Sequence, residues 1–193
     1  MLIFVFYFLV SHFKKENISM KQIMEDVSLQ EKLIAEIKAF KKDKKTCQLA
    51  TVDENGKPNV SYAPFVCTDE GYYILISEMA QHTQNVLFNH HVSLMIIEDE
   101  SKAESLYART RLTFDTNAGL VSRETEEWAD VISLMEQQFG ETVETLVQLT
   151  DFHLIHLKPE QGLFIKGYGQ AYHVAFNQLF KVAPVAKDSL LIS

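Results

Sequence analysis

The sequence predicts an α+β domain built around a mostly antiparallel β-barrel, and three observations carry that prediction. Roughly six or seven short β-type runs follow one another, turn residues join several of them directly, and helical segments interrupt them without a regular β-α-β alternation. The 193 residues are 47% hydrophobic and 23% charged, a balance that suits one globular domain and excludes a disordered or collagen-like chain. A chain of this length buries about 70% of the surface its unfolded form exposes, so it needs no disulfide or metal staple. Cys47 and Cys67 form neither a C-x-x-C pair nor part of a spaced metal quartet, which suits a reducing, cytoplasmic compartment. Asp and Glu number 26 against 18 Lys and Arg, and the net charge of -8 disfavours a phosphate backbone as a partner, so nucleic acid is not expected.

Taken in order, the first element is an apolar run from Met1 to Phe13, MLIFVFYFLVSHF. It is shorter than the about 20 residues that cross a bilayer, so no spanning segment is expected. Lys14 and Lys15 follow the run and no small-residue cleavage site appears, which is the wrong arrangement for a secretory signal. A surface anchor, an added strand or helix docked on the body, and upstream sequence read from too early a start stand as alternatives. Met20 opens a conventional-looking start, so residues 1–19 are set apart as an extension.

Ser28-Leu29-Gln30-Glu31 reads as a capping box, and a helix is expected to begin there. Leu29, Leu33, Ile34, Ile37 and Phe40 recur at three- and four-residue spacing, and Lys41, Lys42, Lys44 and Lys45 crowd the end where the helix dipole favours cations. The runs TCQLATVD, PNVSYAPFV and YYILIS come next, separated by Asn55-Gly56 and by Asp69-Glu70-Gly71. Asn-Gly between apolar runs is a strong hairpin signal, so a meander is expected. A short helix from His82 to Asn89 precedes VSLMIIED, whose near-continuous apolar character predicts a central strand buried on both faces. RLTFDTNAGLVS reads as another long strand. Glu124 to Phe139 reads as an amphipathic helix, with Trp128, Ile132, Met135 and Phe139 on one face and Gly140 as its stop. DFHLIHLKPEQGLFIKGYGQAYHV reads as three short strands, divided at Pro159 to Gly162 and at Gly167 and Gly169.

The common nucleotide, zinc-protease and hydrolase motifs are absent. Seven histidines, His12, His82, His90, His91, His153, His156 and His173, each carry an imidazole able to ligate a metal or a haem. His90 and His91 are adjacent in an N-H-H loop and are expected to meet solvent. His153 and His156 lie three apart in a β-type run, so alternation places them on opposite faces and argues against a shared metal. Arg109 and Arg111 lie two apart in a predicted strand. They project together either as a cationic pair for a carboxylate or phosphate or as a solvated edge. Trp128 reads as a core or interface anchor, and Asp151, before an apolar strand, as a turn or cap residue.

QLATVDENGKPNVSYAPFV, HTQN, VSLMIIEDE, ARTRLTF and DFHLIHLKPEQGLFIKGYGQAY, in this order, resemble the haem-utilisation proteins of the HugZ/HutZ family, from about Leu33 to Tyr172. That family lies in the flavin-binding split-barrel superfamily that includes pyridoxamine phosphate oxidases. The resemblance implies a homodimeric, six-stranded antiparallel Greek-key split barrel with flanking helices, holding its ligand between protomers. It implies binding of haem as an iron source and oxygen- and electron-dependent opening of the ring, with a haem-delivery protein and an electron donor as further partners. An FMN-dependent oxidoreductase and a non-catalytic haem store or carrier are the alternatives.

Carried over by motif, Asp151 matches an acidic residue that hydrogen-bonds the proximal histidine. Arg111 matches an arginine beside the haem, joined by Arg109; His82 matches a pocket histidine near the subunit interface, and Trp128 an interface tryptophan. Asp151 and Arg111 are thus the candidate catalytic residues, and His82, Arg109, Arg111 and His173 the candidate cofactor-binding ones. Members of the family usually end in a Gly-His pair whose histidine is the axial ligand, whereas this sequence has no histidine after His173. His173 is the expected substitute for iron, residues 20–175 form the expected split-barrel domain, and residues 176–193 an atypical tail. Split barrels that hold FMN commonly place Lys or Arg where this chain has Gln84, a loss of roughly 1.5 to 3 kcal/mol of charge-assisted contact that Lys102 or Arg109 would have to offset. FMN is expected to be weakened by Gln84 rather than excluded.

Overall fold

Regular alternation of buried and exposed side chains builds most of the strands. In β1 (Thr46–Val52) the pattern turns Cys47, Leu49 and Thr51 inward and leaves Gln48 and Ala50 outside. The computed structural model describes residues 20–176 and 182–184. The apolar run 1–13, with His12, lies outside the described residues, as does most of the tail. β2 (Pro58–Cys67), β3 (Tyr72–Ser77), β4 (His91–Ile97), β5 (Arg111–Val121) and β6 (Phe152–Ile165) join β1 in the order β3-β2-β1-β4-β5-β6. All the pairings are antiparallel, and β3 pairs with β6 to close a six-stranded barrel. β7 (Ala171–Ala175) and β8 (Val182–Pro184) extend the sheet from the far half of β6.

The meander is as expected, but its first turn uses its residues unequally. The Asp53 carboxylate accepts the amides of Asn55 at 2.9 Å and Lys57 at 2.8 Å, and Gly56 alone takes a positive φ, at 78°. β4 is central, between β1 and β5, yet it is buried on one face only. His91 and Ser93 are exposed and Ser93 donates to Asp115 across the outer surface at 2.6 Å. A closed barrel has one dry interior, so even its apolar strand alternates.

β6 corrects the expectation of a break at Pro159. Leu157 is the last residue opposite β3 and Gln161 the first opposite β7, so the proline falls where the strand changes neighbours and needs no amide. Gly162 serves close approach instead of a turn: a Cβ there would collide with the Phe114 ring.

Among the described residues, four helices flank the barrel. α1 (Met20–Lys42) begins eight residues before the predicted start, which leaves Ser28 inside the helix. A capping serine needs extended backbone at its own position, and the residues before Ser28 continue the helix instead. α2 (Gln81–Phe88) follows β3, α3 (Glu126–Phe139) follows β5, and α4 (Glu141–Leu146), absent from the sequence reading, continues past Gly140. Leu33 and Ile37 of α1 and Val86 of α2 complete the interior core with Leu49, Leu94 and Phe114. Trp128, Val131 and Met135 of α3 pack on Tyr73, Leu75 and Leu154 to form a second core outside the barrel wall. Each fully buried aliphatic or aromatic side chain contributes about 1.5–3 kcal/mol by its removal from water.

Candidate functional site

The end of the barrel where β1, β3 and β5 finish carries α2, and a polar network fixes that helix in place. Asn85, 2% exposed, donates from Nδ2 to Thr51 Oγ1 at 2.9 Å and accepts from Gln81 Nε2 at 2.9 Å. Beside them His82 is half-buried, and its Nε2 is enclosed without a hydrogen-bond partner. Burial pushes the His82 imidazolium below its ordinary pKa, so the neutral ring is favoured there.

Asp151 stands at the same end, just before β6. Its Oδ2 accepts from Ser77 Oγ at 2.7 Å, and its carbonyl accepts from the Glu78 amide at 2.7 Å. The Glu78 carbonyl in turn accepts from Gln84 Nε2 at 2.6 Å, while its carboxylate lies 3.4 Å from His153 Nε2. Glu78 therefore links Asp151 to α2, the helix that carries His82. Gln84, the neutral residue at the expected phosphate position, has its amide committed to a backbone carbonyl.

Arg109, Arg111 and His173 gather at the opposite end. Arg111 opens β5 opposite Ile165, and His173 on β7 lies opposite Leu163, two residues back along β6. β5 is eleven residues long, so about 30 Å of strand separates this group from Asp151 within one chain. The expectation that Arg109 and Arg111 share one strand face is not met, because the strand begins at Arg111. Arg109 precedes it after a 3₁₀ turn and folds back, donating from Nε to the Glu98 carbonyl at 2.9 Å and from Nη1 to Glu100 Oε1 at 3.0 Å. Arg111 is less committed: its hydrogen bond among the described residues is a 3.3 Å contact from Nη1 to the Arg109 carbonyl. His173 is exposed, as are Lys102, His90 and His91.

His153 pairs with Ile76 of the interior core and His156 with Tyr73 of the outer one, so the two do take opposite faces. His156 stacks on the Tyr73 ring at 4.3 Å, with Nε2 3.1 Å from the Glu70 carbonyl and Nδ1 3.5 Å from Glu127 Oε1. No group of three or more His, Cys, Asp or Glu among the described residues is placed to hold a metal ion. None of the described helices is long and apolar enough to cross a membrane. Sequence reasoning missed Glu78, Ser77 and Arg123. Their partners between Val147 and His153 lie 24 to 75 residues away, and no local spacing encodes them.

Residues 33–166 match a family model described as pyridoxamine 5'-phosphate oxidase. The chain is 53% identical over 160 residues to the protein named heme oxygenase HutZ from Vibrio cholerae, covering 83% of this chain and 91% of that one. A solved structure of HutZ from the same organism, described as the heme storage protein, superposes with a TM-score of 0.67 at 56% identity, covering 70% of this chain and 95% of that one. Campylobacter jejuni ChuZ superposes with a TM-score of 0.73 at 37% identity; the match covers 81% of this chain and 63% of ChuZ.

Proposed function

The chain belongs to the pyridoxamine 5'-phosphate oxidase family, in the branch that holds HutZ and ChuZ, and from that premise we propose that it binds haem for iron utilisation and opens the ring in an oxygen- and electron-dependent reaction. The observation that carries this reading is the 53% identity with the protein named heme oxygenase, spread over most of both chains. The side chains at the two barrel ends fit such a substrate. His82 offers an enclosed, unpartnered ring nitrogen in its neutral form, Arg111 a guanidinium with little internal commitment, and Asp151 a carboxylate whose Oδ1 is not engaged by Ser77. The iron of the bound haem supplies the oxygen chemistry; the chain supplies ligands, propionate partners and exclusion of water.

The roles follow from donor type. Arg111 pairs with a propionate, aided by Arg109 only if that side chain leaves Glu100. Asp151 accepts a hydrogen bond from an imidazole that ligates iron, which strengthens electron donation from that ring. His173, exposed on β7 across β6 from Arg111, is the candidate axial ligand. Asp151 and the Arg111–His173 group lie at opposite ends of one chain, so a site that uses both is assembled between two protomers in a homodimer. Outward-facing Val60 and Tyr62 on β2, 75% and 69% exposed, supply an apolar surface for such pairing.

Storage without turnover is the second reading, supported by the description of the solved HutZ structure as a heme storage protein. FMN-dependent oxidoreduction is the third, supported by the matching family model and weakened by the commitments of Gln84 and Arg109. One experiment separates the three: haemin is titrated into the protein, the visible spectrum is read, and ascorbate is added in air. Haem degradation gives a saturable Soret band that bleaches as iron is released. A stable Soret band establishes storage, and an absent one beside saturable FMN binding moves the chain to the flavin reading. Asp151→Asn is expected to slow bleaching more than it weakens binding, and Arg111→Ala to weaken binding. His173→Ala should abolish the bound-haem spectrum. Parent behaviour in all three variants would overturn these assignments.

A further inference from the structure

Arg123 lies in the turn between β5 and α3, and no sequence pattern marks it. Its guanidinium donates from Nη1 to the Val147 carbonyl at 2.6 Å and from Nη2 to the carbonyls of Leu149 at 2.8 Å and Phe152 at 2.9 Å. The same group lies over the Trp128 ring, 4.5 Å from its centroid, and Trp128 is embedded in the outer core. Val147 caps the C-terminal end of α4, where helix carbonyls lack internal partners and a cation is favoured. One side chain thus gathers the segment that leaves α4 and enters β6. Asp151 sits between the second and third of the carbonyls it holds. From the other side β3 and its end grip the same residue, through the Glu78 amide on its carbonyl and the Ser77 hydroxyl on its carboxylate.

We propose that Arg123 is a positioning residue for Asp151, fixing through residues 147–152 where that carboxylate stands at the junction of β3 and α2. The inference rests on the reading of Asp151 as a functional carboxylate. Three converging carbonyls and an aromatic face suit the flat, multiply donating guanidinium, and the compact ammonium of lysine matches that arrangement less well. A cap that merely stabilised the fold would be felt throughout the barrel; a positioning residue is felt first at Asp151.

The test uses the full chain without haem. Amide exchange of Glu78 reports the local grip on Asp151, and the amide of Leu94 in β4 reports the stability of the whole barrel. In Arg123→Gln the Glu78 amide is expected to exchange about tenfold faster or more while Leu94 keeps the parent rate, and the Asp151 carboxyl carbon resonance is expected to move. Arg123→Lys should recover part of the effect and serves if the glutamine variant folds poorly. If Glu78 accelerates only in step with Leu94, or the Asp151 resonance stays put, Arg123 is a stabilising cap and the proposal falls. Asp151→Asn tests the underlying reading separately: parent-like haem turnover in that variant removes the functional role of the carboxylate, whatever the exchange data show. Where Asp151→Asn does slow turnover, Arg123→Gln should slow it too, and the double variant should be no slower than the slower single one. Additive slowing would overturn the coupling.

Discussion

His82 is half inside the protein with one ring nitrogen enclosed and unpartnered, and that places a pH dependence on a single side chain. Burial holds its pKa below the ordinary 6.5, so the unfolded chain binds the proton more readily than the folded one. The associated stability is full above 6.5 and is lost as the pH falls below it. The Tm of the parent should therefore fall on acidification over this range, and His82→Gln should flatten the fall; an unchanged slope would remove His82 as its source. Gly162 carries a steric prediction. Gly162→Ala drives a methyl against Phe114 and should cost about 1–3 kcal/mol, read as a lower denaturant midpoint with an unchanged slope. Cys47 is buried with its thiol pushed up to about 12, so it should resist alkylation in the folded state and react on unfolding. Little of this was legible at single positions. In the sequence His82 stands out only through the HTQN resemblance, and Gly162 has the look of a strand breaker because the ring that forbids a side chain there lies 48 positions away in the chain.

Among the elements, those with local signatures were read well. Helix α3 has Thr125 at its cap, where Oγ1 accepts the Trp128 amide at 3.2 Å and donates to the Ser122 carbonyl at 2.7 Å. Thr125→Ala should cost about 1 kcal/mol, measurable as a lowered Tm, and Thr125→Ser should cost little. Ser28 carries the same type of signature and misled, because a capping box is written in side chains while a cap exists only where the backbone leaves the helix. Pro159 misled for a related reason: a proline interrupts a ladder only if a neighbouring strand asks for its amide, and β6 changes neighbours there. Period-two spacing gives two arginines one face only within a strand, and β5 begins at Arg111, leaving Arg109 outside it.

For the whole molecule, the division of candidate residues between the two barrel ends makes the proposed chemistry depend on pairing of chains. Tyr62→Glu together with Val60→Glu should leave the barrel folded, since both side chains face outward in the single chain. In sedimentation the parent is expected to run as a dimer and the variant as a monomer, and saturable haem binding should be lost with the pairing. A charged residue in place of a central aromatic commonly costs an interface 2 kcal/mol or more, on the order of a thirtyfold loss of association. A folded, dimeric variant would move the interface elsewhere, and a monomer with parent-like haem binding would place the whole site in one chain.

What the sequence determined by itself is strands β1 to β5, the meander, the amphipathic α3 and, through ordered motifs, the family. These rest on alternation, turn chemistry and helical spacing, which act between residues close in the chain. Only the tertiary structure decided that β6 runs unbroken, that α1 passes through Ser28, that Arg109 turns back on Glu98 and Glu100, and that Asp151 is gripped by Ser77 and Glu78 while Arg123 holds the carbonyls of Leu149 and Phe152 on either side of it. The course of β6 and the grip on Asp151 depend on partners brought near by barrel closure and by the packing of α3 and α4, while Arg109 meets its partners across the connection between β4 and β5. Closure sets distances between residues that the linear order leaves independent, so local pattern reaches the elements and stops short of the contacts that arm the site.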